Sequence, residues 1–541
     1  MQRVRQTNTG RRGIILPFVL AVLGLLALTM AGYVFFIRAE TAGLTAHTQA
    51  QQARLAAESA LEEIVATLRI AKHDATAWYN VPNRFRHALV WSPAYTREND
   101  PVRASGSRNE LLASGKVPEA WRYSLCAMAP VQGNVETFRY GITPESSKLN
   151  LNTATEQQLL ALFNAVLPPL DVQNVPSLVA SFLDWRDQDN ETRNSGAENE
   201  WYNTLTPPYG AKNGPLDTVE ELLLIRNFNA IVLWGEDVNR NGLLDPNEDD
   251  GDATWPDYDN GDGILNLGIA PYVTVWSREP DTTIDNKPRA NLRNGAAVAA
   301  QLQALYPENQ ISPATIGWIT QLAASGFDFS QLSSPAQLYT RGYVPPADAG
   351  EFEGEDEGGG PSSQPSSGPG GPRGRRGLPA ELLNSPVTPE ELPYIMDGLT
   401  VRDPQQAAQG GIQGLININT ASATVLSLLP GMTAENVAAL IAARTTASPE
   451  VLRSTAWPVT TGAIDTATFH AIAPYITVKA YQFHVEAVGY ADHCRTARRL
   501  EWIIEMQGPL AQVKYQRDLT SLGIGWPVDR DSIVQGTTTS R

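Results

Sequence analysis

The sequence predicts an α+β protein in which an N-terminal transmembrane and stem helix packs on an antiparallel β-sheet, and the sheet is interrupted by a large, mostly α-helical inserted domain. Three observations predict it. An unbroken uncharged run extends from Ile14 to Ile37, and a helix needs only about 20 apolar residues to cross a bilayer. Segments alternating with period two stand far apart, at 122–142 and again at 481–515, as half-buried strands do. Between them, helical spacing and a recurring short motif fill most of the chain.

The apolar run decides topology. Arg3, Arg5, Arg11 and Arg12 precede it and Arg38 and Glu40 follow, so the short head stays on the cytoplasmic side and the bulk lies across the membrane. A secretory signal would have a shorter apolar core ending in small residues. This run ends in Tyr33-Val34-Phe35-Phe36-Ile37, so cleavage behind it is not expected, and an uncleaved signal anchor is the plainest reading. The junction Arg11-Arg12-Gly13, followed at once by the apolar helix, resembles the processing site of type IV prepilins and pseudopilins. That resemblance implies a basic leader over 1–13, cut after Gly13 by a prepilin peptidase, with Ile14 as the methylated first residue. The usual fifth mature residue is Glu; here it is Phe18, a departure typical of the K-type minor pseudopilin of type II secretion. Pro17 is tolerated in a first helical turn, where its missing N–H has no intrahelical partner.

Composition narrows the function. The chain has 541 residues, a net charge of −17 and a pI near 4.9, which argues against a nucleic-acid binder relying on basic surface. The six histidines are scattered, and neither Gly-x-Ser-x-Gly nor Cys-x-x-Cys occurs, so no hydrolytic or redox centre is expected and the protein is read as a non-enzyme. The two cysteines, Cys126 and Cys494, either pair in an oxidising compartment or stand as free thiols.

Along the chain, 14–75 reads as transmembrane and stem helix, with Leu44, Leu55, Leu61, Ile64, Val65, Leu68 and Ala71 at helical spacing. Residues 76–144 form the first part of the β-domain, with 74–118 loop-like and a hairpin joining 122–128 to 135–142 through Gln132-Gly133-Asn134. The inserted helical domain spans 145–475, with a low-complexity, disordered linker at 346–377. Residues 476–520 complete the β-domain and 521–541 form a tail.

The insertion repeats itself. Leu149-Asn150-Leu151-Asn152-Thr153-Ala154 returns as Ile416-Asn417-Ile418-Asn419-Thr420-Ala421, with a fainter echo at Ala290-Asn291-Leu292-Arg293-Asn294. Thr153 with Glu156, and Thr218 with Glu221, have capping-box spacing. The later copy runs on through Leu429-Pro430-Gly431 into a second helix, resembling helix-hairpin-helix (SAM-like) modules. In DNA-binding proteins such hairpins grip a phosphate, but Pro430-Gly431-Met432 has no cation nearer than Arg444.

The sharpest site motif is Asp237-Val238-Asn239-Arg240-Asn241-Gly242-Leu243-Leu244-Asp245-Pro246-Asn247-Glu248, a twelve-residue calcium loop without a gap. A hard cation needs six to eight converging oxygens. Asp237, Asn239, Asn241 and Asp245 would supply side-chain oxygens, Leu243 a carbonyl, and Glu248 a closing bidentate carboxylate. This predicts a structural Ca2+. Asp257, Asp259 and Asp262 form a second, more degenerate candidate. Asp184 to Asp189 with Glu198 and Glu200 is a third cluster that solvated loop carboxylates explain as well.

Taken in order along the chain, the leader junction, Phe18, the Leu-Asn-Leu-Asn-Thr-Ala element, the stretch Pro207 to Leu222 and the insertion resemble the K-type (GspK) family. The resemblance implies a pseudopilin fold whose inserted domain binds calcium. It implies a non-enzymatic subunit at the tip of a periplasmic pseudopilus, anchored by a single pass in the inner membrane. Its partners would be the I- and J-type minor pseudopilins and the secreted protein substrates, and it would help start assembly and assist export. The alternatives are a membrane-anchored helix-hairpin-helix DNA-binding protein of the competence type and a calcium-dependent, adhesin-like surface protein.

Overall fold

The computed structural model describes residues 15–105, 117–128, 138–167, 174–256, 258–343, 378–403 and 411–526. Gly13, Ile14, the turn at 132–134, Asp257, the 346–377 linker and residues 527–541 lie outside the described residues.

Helix α1 (Ile15–Ala71) is continuous. Its most apolar window has a mean hydropathy of 2.3 and is 0% buried, so it is long and apolar enough to cross a membrane and has no protein cover. Further on, Ala53, Ala56, Ala57, Ala60, Ile64 and Leu68 are buried. Leu44 and Leu55, expected on this stripe, are exposed; alanines carry it because the helix backbone lies directly on the sheet. A Cβ at Gly489 would collide with the Ala53 carbonyl and the Ala57 amide, so only glycine lets the two backbones meet there.

The sheet runs β1 (Ala88–Trp91), β2 (Trp121–Leu125), β3 (Gln482–Ala491), β4 (Ala497–Gln507), β5 (Leu510–Asp518), all antiparallel, with Thr143–Pro144 pairing to β3. β1 lies within the stretch expected as loop. Its four residues are too few to show alternation, and β2 supplies the partner that makes them a strand. Among the described residues the expected hairpin appears as Ala127–Met128 against Phe138–Arg139; β2 spends its two edges on β1 and β3. The insertion leaves the sheet after Pro144 and re-enters at Phe483, which pair with each other.

Phe483, Val485, Ala487, Leu500, Trp502, Ile504 and Met506 pack in one core with the stem. The alternating polar residues were expected to face solvent. They do not: Gln482, Glu486, Arg499 and Glu505 are also buried, because the inserted domain covers that face. Charges there are paired, as burial demands. Arg499 Nε donates to Glu486 Oε1 at 2.5 Å, and Arg278 grips Glu505 through Nε and Nη2 at 2.7 and 2.8 Å. Glu486 and Glu501 also line a cavity of about 400 Å³ between this face and the insertion.

Cys126 and Cys494 are free thiols, so the pairing alternative is not realised. Leu125 pairs with Ala487 and Trp121 with Ala491. Cys126 and Cys494 lie beyond opposite ends of that ladder, at least roughly four strand rises apart, whereas a disulfide needs Cα atoms within about 7 Å.

Within the insertion the repeat is threefold. Leu149–Asn150 pairs in parallel with Val273–Thr274, Ala290–Asn291 with Leu399–Thr400, and Ile416–Asn417 with Ile476–Thr477. In each, the Asn Oδ1 accepts from the amide two residues on, at 2.9 Å (Asn152), 2.9 Å (Arg293) and 3.0 Å (Asn419). Each Asn Nδ2 donates to a carbonyl beyond the partner strand, that of Ser277, Arg402 or Lys479. The faint echo at 290–294 is therefore a full third copy, because its Asn keeps both bonds. Helices α2 (Glu156–Val166), α3 (Val175–Arg186), α4 (Gly295–Leu305), α5 (Pro313–Ala324) and α6 (Ala434–Thr446) build on these pairs.

The capping boxes differ from expectation. Thr155 with Gln158 caps α2, while Thr153 bonds to the Asn150 carbonyl. Thr218 makes no side-chain cap and Val219–Leu224 is a 3-10 helix; Glu221 instead holds Trp185 Nε1 and Lys212. The Pro430-Gly431 turn joins the short helix Ala423–Leu426 to α6, with Gly431 at φ 75°.

Candidate metal centre

The loop Asp237–Glu248 follows a short helix, Ala230–Trp234, and ends in one 3-10 turn, Pro246–Glu248. Asn229 caps the helix through Val232 N, and Gly242 adopts φ 68°, the left-handed bend its place in the loop requires. Asp237, Asn241 and Glu248 are almost fully buried.

The loop is closed on itself. Asp237 accepts from the amides of Asn241 (2.9 Å) and Gly242 (2.8 Å). Glu248 accepts from Val238 and Asp245, at 3.1 and 3.2 Å. Asp245 Oδ2 accepts from both Asn239 Nδ2 and Asn241 Nδ2, at 2.6 and 2.9 Å. Leu243 is buried. Burial pushes the Asp237 carboxyl up to about 6, and burial together with the Asp237 charge pushes Glu248 up to about 8. The structure thus brings together the side chains of Asp237, Asn239, Asn241, Asp245 and Glu248. Carboxylate, amide and carbonyl oxygens are the donor types that suit a hard cation, and burial is the first cause of both raised carboxyls.

Spacing did not show what holds the loop. Arg499 of β4 donates Nη1 to the Asn239 carbonyl at 2.6 Å and Nη2 to the Arg240 carbonyl at 2.7 Å, while Asn241 Nδ2 also reaches the Gly525 carbonyl at 2.7 Å. The only sequence signal was Arg499 itself, a charge in a strand whose other face is apolar.

The second candidate folds as a separate turn. Asp259 is buried and accepts from the amides of Asp250, Gly251 and Gly261, and Asp262 from that of Ile264. In the third cluster one oxygen each from Asp187, Asp189 and Glu198 lies within 4.8 Å of the others. The hairpin cation Arg444 donates Nη1 to the carbonyls of Ile418 and Ala421, at 3.2 and 2.7 Å. Phe18 is exposed on α1.

Residues 147–233 match the family model described as type II secretion system (T2SS), protein K. No curated protein matches the chain. Among solved structures, the GspK-GspI-GspJ complex from the enterotoxigenic Escherichia coli type 2 secretion system aligns over 88% of this chain and 98% of that chain. It does so at 11% identity and a TM-score of 0.34, a likeness too loose to define the fold. The family match spans the first repeat copy and the Asp187–Glu198 cluster and stops just short of the Asp237–Glu248 loop. Through these residues the chain is similar to the type II secretion protein K family.

Proposed function

We propose that this protein is the K-type minor pseudopilin of a type II secretion system, standing at the pseudopilus tip, starting its assembly and assisting export across the outer membrane. The family match over 147–233 carries the reading. It is supported by an apolar helix laid on an antiparallel sheet, with an insertion that enters and leaves at one point of that sheet. The helix anchors the protein by a single pass in the inner membrane, with the bulk in the periplasm. A prepilin peptidase cuts after Gly13, Ile14 is methylated, and Phe18 replaces the glutamate that would neutralise the terminus of a subunit above. The I- and J-type pseudopilins are the partners, as in the complex of the Escherichia coli protein.

The inserted domain carries a structural Ca2+ in the Asp237–Glu248 loop, where the cation takes the place of the Asn239 and Asn241 amide N–H groups at Asp245. Asp257, Asp259 and Asp262 are a second candidate. Calcium contributes no chemistry beyond charge compensation and closure of the loop. Co-expression with the I- and J-type partners tests the proposal. A ternary complex, with Ile14 as the mature N-terminus, is expected. A mature chain beginning at Met1, or no complex with either partner, overturns it.

A further inference from the structure

The sheet and the inserted domain border a cavity of about 400 Å³, within the size range of sites that hold small organic molecules. Three strands supply one row of its lining, His484 of β3 beside Ile503 of β4 beside Tyr515 of β5. Ile503 is buried yet packs in none of the apolar cores; it lines the cavity instead. The insertion adds Trp234, Val273 and Trp276, and the lining is mostly apolar.

The charges around this lining do not cancel. Each of its four carboxylates has a cation of its own. Glu145 has Lys148 at 3.0 Å, Glu220 has Arg517 at 2.9 Å, Glu486 has Arg499 at 2.5 Å and Glu501 has His484 at 2.7 Å. Three more lining arginines, Arg139, Arg240 and Arg444, have no carboxylate partner among the described residues. Arg139 is 5% exposed. Its Nη1 and Nη2 bond to the Tyr79 and Ile142 carbonyls and the Thr143 hydroxyl, and its Nε has no partner. Arg444 spends only Nη1, on the Ile418 and Ala421 carbonyls. Arg240 lies over the Trp234 ring, 3.7 Å from its centre, and its guanidinium meets no acceptor among the described residues. Buried cations without counter-charge are costly, and guanidinium groups take carboxylate or phosphate oxygens in paired hydrogen bonds.

We infer that this cavity binds an amphiphile with one anionic head and an apolar chain. The arginines that lack a carboxylate receive the head, and the apolar lining covers the chain. A free fatty acid and a phosphate-headed lipid fragment both carry this chemistry.

Isothermal titration of the full-length chain in phosphatidylcholine nanodiscs, with protein-free nanodiscs subtracted, tests this with octanoate, octyl phosphate and octanol. One octanoate or octyl phosphate binds per chain, and octanol binds at least tenfold more weakly. The tighter of the two anions identifies the source of the head. Arg240→Gln removes a charge but leaves the backbone carbonyl that Arg499 holds, and it weakens the anions at least tenfold without changing octanol. Ile503→Phe fills the cavity and weakens all three probes. Absence of saturable binding, octanol equal to both anions, or anion affinity unchanged in R240Q or in I503F overturns the inference.

Discussion

Two acidic regions of the inserted domain reach the same electrostatic problem by opposite routes. The loop 237–248 is written in residue spacing, closes on its own amides and is held from outside by Arg499, which is 1% exposed. The cluster 187–198 has no such spacing; its only arginine, Arg193, has a side chain 41% exposed, and both Glu198 carboxylate oxygens are buried without a partner among the described residues. Spacing reports which side chains can reach one ion. It says nothing about which carboxylate packing will leave without a partner.

Breaking the outside clamp should have the largest effect. Arg499→Met leaves Glu486 buried without its cation and frees the Asn239 and Arg240 carbonyls. The expected loss is about 3–5 kcal/mol in denaturant unfolding. A loss under about 1 kcal/mol would mean that Arg499 does not hold the loop.

Acid should loosen the cover of the sheet next. Arg278 and Lys514 hold the Glu505 carboxyl down to about 2. A depressed carboxyl stabilises the fold above its unfolded value and loses that contribution as pH falls toward the folded one. Unfolding midpoints should therefore drop between about pH 4.5 and 2, and Glu505→Gln should flatten that stretch of the profile.

Calcium removal sharpens the contrast at smaller amplitude. With free calcium at ten times Kd, one site adds about 1.4 kcal/mol. Chelation should lower the melting temperature of the wild type more than that of Glu248→Gln, and equal shifts would show that the loop takes no ion. Gly242→Ala should cost about 1 kcal/mol, since Gly242 has φ 68° and a Cβ would lie 2.8 Å from Met128 Cγ. Its effect should reach the loop and not the cluster.

What could be read in advance follows the range of each cause. The apolar run, the period-two strands and the twelve-residue spacing of Asp237–Glu248 are local patterns, so one stretch of chain suffices to show them. The alanine face of the stem, the burial of Glu486 and Arg499, and the orphaned Glu198 depend on what packs against them from far along the chain. The third repeat copy fell between. Asn291 keeps the device, but Arg293 and Asn294 replace the residues by which the other two copies resemble each other.

The pairing of Pro144 with Phe483 bears on the order in which the molecule forms. β2 and β3 are neighbours in space, yet most of the chain separates them, and such distant partners meet slowly when the span between is unstructured. Once the inserted domain has folded, its two ends stand side by side, and the long span becomes a short bridge. The central pairing of the sheet is thus a late event that reports completion of the insertion, and the stem acquires its full seat only when everything between has found its place.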